Sequence, residues 1–504
     1  MLQWRPGELA TSHNVYMGTD ADAVAAGTAP AVSTTDGLVT AGIAGGPIPD
    51  GLQPDTTYYW RVESVNDVNP DSPWSSAVMS ISLPPRRAYD PDPIDGNKIL
   101  DLTANLTWTG GWAPIMYQTY FGTDADQVAN AAGAPLVMDV GYDTGELQPG
   151  TTYYWRVDQF YGFETVKGPV WSFSTVPELP LADDPNLIGQ WTFDGDSGGV
   201  ALDQSGHGGH AKLVGDVQLV AGVVGDALQF GGTNADYAEA PNHVGVTGTG
   251  ARTVSAWIKT VDYGEIASWG LDSAGQKWIF RVQETNGTQG AIRVEVNGGY
   301  QVGTIDVRDD QWHHVAAVLA DDGSPDVNEI SLYVDGFLEN NSASLDEPVN
   351  TADGVVRIGK APWGSRPFTG LIDDVRIYDK AFTEDEMRQL NGDLAIAWQP
   401  QPVMRDSGDV WTITSLSWTA GDGAVEHDVY LGTDAAAVAT ADASVYRGRA
   451  TETTYAIPEV LDLGADYYWR IDEVAADGTV SAGRVWTFST ESELVIYDEA
   501  TPLD

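Results

Sequence analysis

The side chains able to do chemistry in this chain are carboxylates, imidazoles and indoles, because there is no cysteine and so no thiolate nucleophile, thiolate metal site or disulfide. Two carboxylates stand out by position. Asp203 lies in the run Asp203-Gln204-Ser205-Gly206-His207-Gly208, where backbone carbonyls are free, and Asp373 falls on the same strand face as Leu371, Val375 and Ile377. A carboxylate on an apolar face needs a hydrogen-bond partner or a cation, and such oxygens are what calcium takes. Both readings stay open, and in either the role is structural. Trp269, Trp278 and Trp363, with Tyr300 beside Gly298-Gly299, are the aromatic candidates. Trp269 and Trp363 adjoin glycines in expected loops, where an indole face either stacks on a sugar ring or packs the loop.

Imidazoles and acid pairs offer less. His207 and His210 are three apart and His313-His314 adjacent, with no His-Glu-x-x-His signature and no third ligand at zinc spacing. Packing and hydrogen bonding account for them, one of the His313-His314 pair facing inward. Glycoside hydrolysis needs paired carboxyls, and the dense acid cluster of the central region is Glu384-Asp385-Glu386. Thr383 with Glu386 three residues on spells a capping box, which assigns that cluster to a short helix. No nucleophile elbow or phosphate loop is present. The chain reads as no enzyme.

Composition narrows the partners. The 504 residues carry 73 acidic and 25 basic side chains, a formal charge of −48, which disfavours nucleic acid and anionic membrane alike. No run of eighteen apolar residues spells a bilayer span. The opening Met1-Leu2-Gln3-Trp4-Arg5-Pro6 carries no signal-peptide pattern, so an exported protein would lack its true beginning here.

The elements that must position these side chains come as repeats. Gly-Thr-Asp at 18–20, 122–124 and 432–434 is followed by Tyr-Tyr-Trp-Arg at 58–61, 153–156 and 467–470, which means like modules in series around one unlike insert. Within the second copy Tyr153, Trp155 and Val157 alternate with Tyr154, Arg156 and Asp158, as a half-buried strand requires. Short strands at this spacing with Gly and Pro punctuation read as β-sandwiches. Leu52-x-Pro54-x-Thr56-x-Tyr58 and Leu147-x-Pro149-x-Thr151-x-Tyr153 resemble the tyrosine corner of fibronectin type III domains. The third copy keeps Leu461 and Tyr467 but has Leu463 and Ala465, so a weaker corner is expected there.

The insert carries Ile188-Gly189-Gln190-Trp191, the Asp203 loop, Val254-Ser255-Ala256-Trp257-Ile258, Gln311-Trp312-His313-His314, Leu332-Tyr333-Val334-Asp335-Gly336 and Gly370-Leu371-Ile372-Asp373-Asp374-Val375. In this order they resemble a laminin G-like domain of the concanavalin A-like jelly roll. The resemblance implies core positions for Trp191, Trp257 and Trp312. It also implies a structural calcium between the Asp203 loop, with the carbonyl near His207, and Asp373, with Asp374 as a further ligand.

The expected fold is therefore all-β: three fibronectin type III-like β-sandwiches plus one jelly roll, as beads on a string. The expected boundaries are 1–84 for a first sandwich lacking its first strand, 85–177 for the second, 178–392 for the jelly roll and 393–490 for the third. Residues 491–504 form a tail. It resembles the lead-in Ala88-Tyr89-Asp90-Pro91-Asp92-Pro93-Ile94 of the second repeat. A plain segment of a longer array explains this, or the tail of one copy completes the first sandwich of another by head-to-tail strand addition. Such phrasing resembles large bacterial surface and matrix proteins. The expected function is non-catalytic adhesion or matrix building, extracellular or at the cell surface, with a glycan or surface protein as partner. A self-assembling fibre subunit, or an accessory binding segment of a secreted carbohydrate-active enzyme, is the alternative.

Overall fold

The computed structural model describes residues 1–195, 198–364, 366–392, 395–402, 406–408 (backbone) and 412–491. They form strands with a few short helices, in two compact units, 1–177 and 178–504. The tail 492–504 lies outside the described residues.

In the first unit, the second repeat sets Tyr142–Glu146, Thr103–Thr109 and Tyr89–Asp92 in one sheet and Met116–Gly122, Thr152–Phe160, Val170–Thr175 and Asn97–Ile99 in the other. The alternating apolar residues meet between them: Leu106, Trp108, Tyr153, Trp155, Val157, Trp171 and Phe173 are buried together. The first repeat has the same central strands, Ser12–Gly18 against Thr57–Val65, with Met79–Ser82 at the edge, but its second ladder is only Leu2–Gln3 with Leu38–Val39.

The consequence shows in two side chains. Met79 and Ile81 pair with Trp60 and Tyr58, as Trp171 and Phe173 pair with Trp155 and Tyr153. Yet Met79 and Ile81 are 37% and 39% exposed, against 6% and 1% for Trp171 and Phe173. In the second repeat Asn97–Ile99 runs parallel beside Val170–Thr175 and Tyr89–Asp92 lies beside Thr103–Thr109. Among the described residues no such strand flanks Met79–Ser82 or Leu2–Gln3.

The two phrases of the repeat prove to serve one helix. Asp124 caps the start of Ala125–Asn130, its Oδ1 accepting from Gln127 N at 2.9 Å. Arg156 reaches the other end, donating to the carbonyls of Val128 and Ala131 at 2.5 and 2.8 Å while its guanidinium forks onto Asp158. Asp434 and Arg470 do the same for Ala435–Ala439, with Arg470 donating to Ala439 O and pairing with Asp472. In the first repeat Asp20 caps Ala21–Ala26 and Arg61 pairs with Glu63.

Each tyrosine corner is made: the hydroxyls of Tyr58, Tyr153 and Tyr467 accept from Gln53 N, Gln148 N and Asp462 N at 2.8–2.9 Å. The third lacks only the threonine-to-proline bond seen at Thr56–Pro54 and Thr151–Pro149. Replacing Tyr153 by phenylalanine leaves an exposed N–H to water and is expected to cost about 1 kcal/mol, read from the denaturation midpoint of the first unit.

In the second unit, a jelly roll of an eight-stranded and a nine-stranded sheet encloses one large core containing Trp191, Phe230, Trp269, Trp278, Phe280 and Ile372. The helix Glu384–Asn391 follows. Its capping box is present, Thr383 N donating to Glu386 Oε2 at 2.9 Å. A third sandwich is built on Ala424–Gly432, Asp466–Ala475 and Trp486–Thr490. Beads on a string does not describe this pair. Arg484 of the sandwich sits 3.2 Å from Asp335 of the jelly roll with its Cζ 4.3 Å from the Phe337 ring centre. Arg388 of the helix lies 4.1 Å from the Trp398 ring and donates to Ile396 O.

Candidate ligand face of the jelly roll

The aromatic residues chosen from sequence separate into two classes. Trp269 and Trp278 sit on the paired strands Gly264–Gly270 and Lys277–Val282, wholly buried, with ring centres 5.7 Å apart and nearly parallel. Trp269 Nε1 donates to Val246 O at 2.9 Å. The loop expectation is corrected here: the glycine beside Trp269, Gly270 at φ +97°, ends a strand rather than a loop. Tyr300 and Trp363 are half-buried, Tyr300 at the start of Tyr300–Val302 and Trp363 in the turn after Val356–Ile358.

The four residues chosen as calcium ligands do not form one oxygen cage. Asp203 is buried, and its carboxylate accepts from three backbone N–H groups, Gln190, Ser205 and Gly209, at 2.9–3.0 Å. Donors aimed at an anion leave it charge-satisfied without a cation. His207 is exposed beside Ser205. Asp374 is forked by Arg376 at 2.9 and 2.6 Å, a positive charge where a metal would have to sit. Asp373 turns to another loop, accepting from Val223 N and Val224 N, and keeps a buried Oδ1 with no partner. Burial pushes its carboxyl up to about 6, against those two bonds. Among the described residues no group of three or more His, Asp or Glu is arranged to hold a metal. Asp203, Asp373 and Asp374 are thus each engaged by a different set of protein donors.

The sequence reading missed a cluster on the outer face of the nine-stranded sheet. Trp278, Phe280 and Val282 face the core, so Lys277 and Arg281 face away. Register puts Arg281 opposite both Glu265 and Arg293, and Ile279 opposite Glu295. The Glu295 carboxylate is 3.1 Å from Lys277, 3.3 Å from Arg281 and 2.9 Å from Arg293. Arg293 Cζ stands 4.0 Å from the Tyr300 ring centre. The 360–366 turn carrying Trp363 is tied to the same face, Ala361 N donating to Glu265 and Glu265 N to Arg366 O. One carboxylate thus serves three cations, and Arg281 Nε and Nη1 with Arg293 Nε are buried without a partner.

Residues 231–388 match the family model described as the concanavalin A-like lectin/glucanases superfamily. This part of the chain is a concanavalin A-like jelly roll. No curated protein matches the chain in sequence. Among solved structures, domain 4 of the arabinanase AbnA from Geobacillus stearothermophilus, in complex with arabinotriose, is similar at 21% identity over 41% of this chain and 98% of that one, TM-score 0.33. The binding domain of Paraclostridial Mosquitocidal Protein 1 is similar at 11% identity, 60% and 75% coverage, TM-score 0.31. The receptor binding domain of botulinum neurotoxin D is similar at 14%, 62% and 80%, TM-score 0.30. At those scores the family match alone speaks to the fold.

Within the concanavalin A-like jelly roll the cluster is electrostatically tense. Burial alone would raise Glu295, but Arg293, Lys277 and Arg281 outweigh it and hold the carboxyl low. Burial pushes Glu265 up, and depresses Arg281. Arg293 falls to about 10 through burial and the repulsion of Arg281. Lys277 has a second partner in Asp272 at 3.1 Å, and Glu265 also acts on Arg281.

The paired histidines divide as expected. His313 bridges Asp335 and Asp309, while His314 is buried against Trp257 with Nδ1 unpartnered. Burial lowers His314 to about 4. Between pH 6.5 and 4 the unfolded chain therefore takes a proton that the native jelly roll refuses. The His314 contribution to stability should fall as pH drops through that window, by about 3 kcal/mol, while Asp373, raised to about 6, contributes in the opposite direction. The difference between parent and His314→Gln in thermal melts across pH should isolate the His314 slope.

Proposed function

We propose that the chain is a non-catalytic adhesion or matrix protein of the cell surface or extracellular space, its jelly roll binding an acidic glycan and its flanking sandwiches, fibronectin type III-like in kind, acting as spacers. The observation that carries this is the gathering of Lys277, Arg281 and Arg293 on one sheet face, with Glu295 and Asp272 as the contacting carboxylates and the exposed Arg366 near enough to repel both other arginines. A ligand carboxylate or sulfate would meet that positive charge at the exposed Arg366. Tyr300 on the same face supplies a ring for the sugar. The −48 charge of the whole chain opposes a polyanion at long range, but screening over about 8 Å at physiological salt lets the local charges decide.

Calorimetric titration with a uronic-acid polymer and its neutral counterpart tests this. Binding of the acidic polymer is expected, weakened by high salt and at least about tenfold by Tyr300→Ala or by Arg366→Ala, whose exposed guanidinium is near enough to repel Arg281 and Arg293. Equal binding of both polymers, or none, ends the reading.

A second reading, strand addition between copies, is favoured by the exposure of Met79 and Ile81 beside open edges. Under it, residues 491–504 of one copy lie where the lead-in they resemble, Tyr89–Asp92, lies in the second repeat, beside the strand whose counterpart in the first is Leu2–Gln3. Sedimentation of the chain with and without those residues decides it: monomers in both samples dispose of the idea.

A further inference from the structure

The strongest unassigned feature is a cleft in the second unit where the jelly roll, its closing helix and the third sandwich meet, a cavity of about 470 Å³. Packed interiors hold few voids larger than a water, and ligand pockets of about 300–1,000 Å³ occur preferentially at domain junctions. This one is framed rather than collapsed: Arg484 on Asp335 and Phe337, and Arg388 on Trp398, fix the two bodies around it.

Its walls mix apolar surface with polar groups. Exposed Leu338 and half-buried Phe337 supply the apolar surface, with the edge of the core residue Trp418 behind them, and Asn340, Gln399, Gln401 and the Glu384 carboxyl supply the polar groups. The polar side is pre-arranged, since Thr419 Oγ1 donates to Gln399 Oε1 at 3.0 Å and Gln399 in turn hydrogen-bonds Glu384. Arg388 lies close enough to Glu384 to offset its charge. The cleft therefore presents little net charge to an ion, yet offers amides and a carboxylate beside apolar surface. That is what the hydroxyls and apolar faces of an uncharged sugar require.

We infer that this junction is a second binding site, for a neutral oligosaccharide, built from side chains of both modules. It does not rest on the acidic-glycan face, which lies on a different sheet surface.

The test is saturation-transfer NMR on the full chain with a panel of short, uncharged oligosaccharides. The expected result is transfer to at least one of them, with affinity lowered at least about tenfold by Glu384→Gln and abolished by Gln401→Trp, which fills the cleft from an exposed position. Arg366→Ala on the sheet face should leave it unchanged. Gln401 is exposed, so folding is expected to survive, and an unaltered melting curve verifies that. No transfer to any panel member, or transfer untouched by both cleft variants, overturns the proposal. Loss on Arg366→Ala with the cleft variants silent reassigns the sugar to the sheet face and overturns it equally.

Discussion

Trp269→Ala is expected to destabilise the jelly roll by about 3–5 kcal/mol, the range for removing a large ring from a packed core. The indole is fully enclosed, stacked on Trp278, and its N–H is the donor to Val246 O. Alanine leaves a ring-sized void and strips Val246 O of one of its two donors, Arg252 Nη1 at 3.0 Å remaining. The surroundings are shaped to the ring: a Cβ placed on Gly245 would stand 2.5 Å from Trp269, so Gly245→Ala should also be destabilising. Chemical denaturation of the second unit measures both. An indole used as a sugar platform would behave oppositely, costing affinity with little change in midpoint. A Trp269→Ala chain that melts like the parent would refute the core assignment.

Glu295→Gln is expected to cost about 3 kcal/mol, near the low end for breaking a buried ion pair, because the carboxylate retains some exposure. Glutamine keeps the shape and one acceptor but removes the carboxylate that touches Lys277, Arg281 and Arg293 together, leaving Asp272 on Lys277 alone. Three cations then face one another across two strands. The loss should be recoverable: sulfate or a uronic acid should raise the melting temperature of the variant more than that of the parent. A parent-like stability would mean that water already screens the cluster. Lost stability that no anion restores would make the cluster purely structural.

The repeats were legible because their signals are local. Alternation in Tyr153-Tyr154-Trp155-Arg156-Val157-Asp158 fixes which side chains enter the core without knowledge of the partner strand. The reason for the paired Gly-Thr-Asp and Tyr-Tyr-Trp-Arg phrases was not legible, since it takes folding to bring Arg156 to the far end of the helix that Asp124 begins. Trp269 was misplaced by its glycine neighbour, although the alternation of Trp278, Phe280 and Val282 on the next strand announces a buried face. The same alternation sets Lys277 and Arg281 outward. Nothing in the order of residues, however, says that Arg293 and Glu295 arrive beside them, because strand register decides it. Asp373 was legible as an acid on an apolar face, whereas Asp203, read as a loop residue, proves buried, and what answers each depends on loops folded against it: three N–H groups for Asp203, two N–H groups and an empty flank for Asp373.

Asp335 receives Arg484 from the neighbouring sandwich and His313 from its own sheet through the same carboxylate oxygen. Acidity and ionic strength, which leave apolar seams largely untouched, would therefore set how firmly the sandwich is held against the jelly roll.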